Sequence, residues 1–111
     1  MAELQQIIAQ KGPLPIKTTA TIETDVQTVL TLAGSVWTTT QDCMIGIALT
    51  VDGEPAVTAQ IYSNGPDTHR AVVPVTAPYT FTIGEHVFSL GPLTPQTTSD
   101  FNDYFSVTVQ Y

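Results

Sequence analysis

Asp100, Asn102 and Asp103 are the most pointed polar cluster in the chain. Hard cations such as Ca²⁺ take about six to eight oxygens from carboxylates, amide carbonyls and backbone. Asp100 and Asn102 stand two apart in a stretch without strand pattern, and Asp103 follows at once, so a curled backbone could aim several oxygens at one point. The three form a candidate calcium site, and a calcium-dependent lectin would use such a site to grip sugar hydroxyls. The competing reading needs no ion: Asp and Asn ahead of a strand form turns through their own backbone. The EF-hand pattern is absent.

The other chemistry-bearing types are sparser. His69 and His86, with Asp67, make a poor zinc set, lacking a cysteine pair or a His-x-His strand. His86 alternates with Phe88 and Leu90 and is expected to be hydrogen-bonded and structural, with His69 at a loop edge. There is no Gly-x-Ser-x-Gly elbow and no phosphate-cradling glycine loop. Cys43 alternates with Ile45, Ile47 and Leu49, which makes it a small buried hydrophobe in preference to a reactive thiol. No catalytic residues and no enzyme activity are expected, and calcium is the one cofactor with candidate ligands.

Aromatic side chains offer a second route to binding. Trp37 falls out of register with Leu30, Leu32 and Val36, and Tyr62 and Tyr104 oppose the apolar positions of their strands. Sugar rings present C–H faces that stack on such rings, and the same aromatics also mark protein interfaces. The plain alternative is packing under a second sheet. Trp37, Tyr62, Asp100, Asn102, Asp103 and Tyr104 are therefore the candidate ligand-binding residues.

The elements that must position these residues read as strands. The chain has 111 residues, enough for one domain, with 19 Thr, 42% hydrophobic and only 12% charged residues. From Val26 onward the apolar period is two: Val26–Trp37, Cys43–Val51, Ala56–Tyr62, His69–Thr76, Tyr79–Ile83, His86–Leu90 and Tyr104–Tyr111. Asp52-Gly53 marks a hairpin, and Pro74 an edge or bulge. Seven or eight short strands with frequent turn signals specify an all-β antiparallel sandwich. The long loop after Leu90 is the functional candidate among the connections.

Residues 2–11 are the one stretch of good helix formers, and Leu4, Ile7 and Ile8 fall at i, i+3, i+4. Residues 1–16 are accordingly expected to be a short N-terminal helix or arm, and 17–111 a single sandwich domain. The stripe Leu4, Ile7, Ile8 either packs on its own domain or meets copies in neighbouring subunits. The opening residues lack the basic and apolar regions of a secretory signal, and Cys43 has no partner for an intrachain disulfide. Both fit synthesis in a reducing cytosol, with later particle assembly or non-classical export still open. A net charge of −7 argues against nucleic acid, and no apolar run is long enough to insert in a membrane.

Three segments resemble pieces of bacterial jelly-roll β-sandwich modules of the carbohydrate-binding, adhesin and fibre type. Ile45–Gly53 is similar to their Val-Asp-Gly hairpin, Gly84–Leu90 to a Gly-x-His-x-hydrophobic-x-Leu strand, and Asp100–Val109 to a terminal Asp-x-Asn-Asp strand. The resemblance covers residues 26–111 loosely, identifies no single family, and implies a jelly-roll-like sandwich. Two functions are expected to compete. One is a non-catalytic structural domain that self-associates into a symmetric homo-oligomer through Leu4, Ile7 and Ile8. The other is a carbohydrate-binding, lectin-like module. The low charge and broad apolar content of the whole chain favour the first.

Overall fold

Alternation of β-branched and polar residues is realised as strands along almost the whole chain. The structure, a computed structural model, describes residues 3–111; Met1 and Ala2, at the head of the expected helix or arm, lie outside the described residues. Nine strands form among the described residues: β1 (Leu4–Lys11), β2 (Ile16–Ile22), β3 (Gln27–Val36), β4 (Cys43–Val51), β5 (Glu54–Ser63), β6 (Arg70–Ala71), β7 (Val75–Thr80), β8 (Gly84–Pro92) and β9 (Tyr104–Gln110). One sheet runs β1-β9-β3, and the far edge of β3 is shared by β7 and then β6; the other runs β2-β8-β4-β5. Every pairing is antiparallel. The first strand pairs with the last and the second with the next to last, which is the nested order of a jelly roll.

The inward rows of the two sheets interdigitate as one core. Leu30, Leu32 and Val36 of β3 and Phe105, Val107 and Val109 of β9 meet Ile45, Ile47 and Leu49 of β4 and Phe88 and Leu90 of β8, all enclosed. Enclosing each such side chain contributes about 1.5–3 kcal/mol. Gly34 stands in the inward row of β3, where a Cβ would lie 2.6 Å from the Phe105 ring. The missing side chain gives that ring its place.

The N-terminal segment, expected as a short helix or arm, is a strand. Leu4–Lys11 pairs with β9, and a register shift between Gln6 and Ile8 marks a bulge. A helix of this length is marginal alone, whereas the open edge of β9 supplies partners for the backbone groups of β1. The bulge lets neighbouring isoleucines both serve the interior: Ile8 is 2% exposed and Ile7 is half-buried against the core. Leu4 stays 69% exposed. The three residues therefore do not form an outward stripe.

Strand directions gather four connections at one end of the sandwich: residues 12–15, 37–42, 64–69 and 93–103. The opposite end carries 23–26, the Asp52–Gly53 turn and 81–83. Between β6 and β7, Val72 N–H donates to Gly34 O at 2.9 Å and Val73 N–H to Gln60 O at 3.2 Å. This segment, which contains Pro74, joins the two sheets along one side.

Candidate functional site

The loop end is built around Asp103. Its carboxylate is wholly enclosed and accepts three hydrogen bonds: Ser35 Oγ at 2.8 Å and His69 Nδ1 at 2.7 Å on Oδ1, and Asp100 N–H at 2.9 Å on Oδ2. The Asn102 N–H donates to Asp100 Oδ1 at 2.8 Å, and the Asp103 N–H to Asp100 O at 3.1 Å, which curls 100–103 into an Asx turn. Gly12 N–H donates to Asp103 O at 2.9 Å, and Leu14 N–H to Ser99 Oγ at 2.8 Å, so the 12–15 loop buttresses the turn. A Cβ on Gly12 would stand 2.7 Å from Asp100 O, which leaves no room for a side chain.

His69 bridges to this turn from the neighbouring loop. Its Nε2 lies 3.7 Å from Asp100 Oδ2, and its ring sits 5.7 Å from that of Trp37, tilted by 39°. Trp37 is pinned by paired backbone bonds with Thr98 at 2.9 and 2.7 Å. The hydrogen bond to Asp103 raises the His69 pKa above the ordinary imidazole range, against a smaller lowering by desolvation. His69 Nε2 or Nδ1, Asp100 and Asp103 offer ligand atoms all within 4.8 Å of one another.

Turn and cluster are thus both present at Asp100–Asp103, with a composition different from the expected calcium set. Asp103 faces inward onto protein donors, Asn102 contributes its backbone N–H, and the partner brought in is His69. His69 is the last residue of the 64–69 loop, immediately before β6, and reaches the turn from there. Trp37, expected outward, is half-buried with its Nε1 enclosed. Tyr104 is exposed on β9, opposite Lys11 of β1. Cys43 is only half-buried, its Sγ 3.6 Å from Thr38 Oγ1 and from Thr40 O.

Tyr62 belongs to a second place. On the outer face of β5, Thr58, Gln60 and Tyr62 form one row, and Met44 of β4 is paired with Tyr62. Together with Ile61, and with Val73 and Val75 on the facing wall, they line an open groove of about 460 Å³. Tyr62 is 53% exposed, and its phenol pKa is raised by desolvation first and then by the nearby Asp42 carboxylate. No Lys, Arg, His, Asp or Glu lines the groove, in a chain of net charge −7. Met44, Gln60, Val73 and Val75 were not singled out from sequence.

No family model matches the chain, and no curated protein matches it in sequence. Solved structures do share its fold. Dimeric latent PorU from Porphyromonas gingivalis is 8% identical with a TM-score of 0.59, the match covering 98% of this chain and 12% of that one. An exo-β-1,3-galactanase from Phanerochaete chrysosporium, solved with β-1,3-galactotriose, is 11% identical with a TM-score of 0.50, over 99% of this chain and 26% of that one. The C-terminal domain of EclA, described as a sugar-binding protein, is 12% identical with a TM-score of 0.49, over 100% of this chain and 77% of that one. The chain thus spans 12% and 26% of the length of the first two proteins. The likeness is one of fold, an antiparallel β-sandwich, with no single family identified.

Proposed function

We propose that the domain is a non-catalytic carbohydrate-binding module whose ligand, a neutral glycan, lies in the Tyr62 groove. The observation that carries the reading is the lining. An exposed phenol ring and a Met44 thioether give a surface for the C–H face of a sugar, with the Gln60 amide and Thr58 hydroxyl beside them. An uncharged wall in an acidic protein suits a ligand held by stacking and hydroxyl contacts, because no buried charge has to be matched. The fold shared with a galactanase solved with β-1,3-galactotriose supports the same class of ligand. This reading displaces self-association as the leading one: of the three residues on which an oligomer was expected to rest, Ile8 is enclosed in its own chain.

The test is retention on immobilised neutral polysaccharides, followed by titration with the retaining sugar. Tyr62→Ala is expected to weaken binding about tenfold or more, and Gln60→Ala by a smaller factor, with thermal stability little changed. Incubation should release no shortened sugar. Retention equal in Tyr62→Ala and the parent protein overturns the reading.

A further inference from the structure

We infer that His69 and Asp100, backed by the enclosed Asp103, form an open site for a borderline divalent transition cation, Zn²⁺ being the representative case. The argument starts at Asp103. Because its Oδ1 accepts from His69 Nδ1 at 2.7 Å, the Nδ1 position carries the proton, and the neutral ring presents its lone pair at Nε2. A carboxylate behind an imidazole in this way is the support that orients metal-ligating histidines and raises their basicity. Asp103 cannot drift from this role, since Ser35 Oγ and Asp100 N–H also donate to it.

The second ligand is aimed as firmly. Asn102 N–H holds Asp100 Oδ1 at 2.8 Å and leaves Oδ2 facing His69 Nε2 at 3.7 Å. That gap exceeds a direct hydrogen bond. It lies close to the separation of two ligands on one tetrahedral ion, about 3.4 Å for bonds of about 2.0–2.2 Å. A closure of a few tenths of an ångström would seat the ion. The His69 and Asp100 side chains are 36% and 38% exposed, so the remaining coordination positions open to solvent or to an incoming ligand. One imidazole nitrogen and one carboxylate oxygen favour Zn²⁺, Cu²⁺ or Ni²⁺ over Ca²⁺, which prefers an all-oxygen shell. The site shares no residue with the Tyr62 groove and does not depend on the glycan reading.

The probe is ZnCl₂ titrated into the full chain in a Cys43→Ser background at about pH 8, where imidazole is largely neutral. Trp37 is the sole tryptophan and lies against His69, so its fluorescence reports the site, alongside the NMR signals of both imidazoles. A saturable response below about 1 mM Zn²⁺, with His69 signals moving and His86 signals still, is expected. His69→Gln and Asp100→Asn should each weaken it about tenfold or more. Both residues are exposed enough for the variants to fold, which their unchanged melting would verify. No saturable response, an undiminished one in His69→Gln, or an equal response to CaCl₂ overturns the inference.

Discussion

Each end of the sandwich carries one histidine bonded to one aspartate, and in both pairs the partners are 34 residues apart. At the hairpin end His86 is 7% exposed; its Nδ1 donates to Asp52 Oδ2 and its Nε2 to Thr82 O, each at 2.6 Å. Both nitrogens face acceptors, an arrangement that only the doubly protonated ring satisfies in full. The other Asp52 oxygen accepts Val87 N–H at 2.8 Å, and the edge of Phe81 closes over the imidazole at 5.2 Å. At the loop end His69 has one nitrogen committed and one turned to an open gap. With residue types and spacing the same, what separates a structural pin from a candidate ligand is how many of the ring's two nitrogens the fold has already used.

Exchanging or removing the members of the pairs tests that distinction. The largest stability loss is expected from Asp103→Ala, about 3 kcal/mol or more in urea unfolding, because three donors lose an enclosed acceptor together. A loss below about 1 kcal/mol would mean that water replaces the carboxylate readily. His86→Leu should cost less, about 1–3 kcal/mol, since the apolar replacement retains packing against Phe81 while leaving Thr82 O and Asp52 Oδ2 without the imidazole donor.

The same pin predicts a pH dependence. The Thr82 carbonyl, and then Asp52, lift the His86 pKa above its ordinary 6.5, against desolvation. A folded pKa above the unfolded one gives stability that is complete below about 6.5 and lost as pH rises through the folded value. For Asp52 the Val87 N–H, and then His86, lower the pKa below its ordinary 3.8. Its share is present above about 3.8 and lost as pH falls through the lowered value. The urea midpoint should therefore drop as pH rises above about 6.5, and His86→Leu should lessen that drop, leaving the share of His69, whose pKa is also raised. An equal drop in the variant would assign it elsewhere. The smallest stability effect is expected from His69→Gln, within about 1 kcal/mol, because the His69 ring is 36% exposed and the enclosed Asp103 keeps its bonds from Ser35 and Asp100.

Most of the fold was legible because most of its strands keep a period of two between turn residues. The misses have local causes. In β1 a bulge turns adjacent isoleucines inward, and the resulting spacing of Leu4, Ile7 and Ile8 imitates a helical stripe. In β2 only Ile16 and Ile22 are enclosed, and the residues between them carry no apolar alternation to read. Asp100 and Asp103 could be named from their spacing, but His69 reaches them only because the nested strand order brings two distant loops together. The groove was harder still, since Val73 and Val75 become its second wall through the side seam at Gln60.

The pairing of the first strand with the last has a mechanical consequence. Leu4 lies opposite Gln110, and β1 runs antiparallel to β9. Tension applied at these two residues acts across the ladder and not along it, so the hydrogen bonds between the strands break in succession like the teeth of a zip. A domain pulled by its ends in this way yields at low force, one rung at a time, and β1 peels away first. The loop end lies at the far end of that ladder, beside Lys11 and Tyr104, and is the last part of it to feel the load.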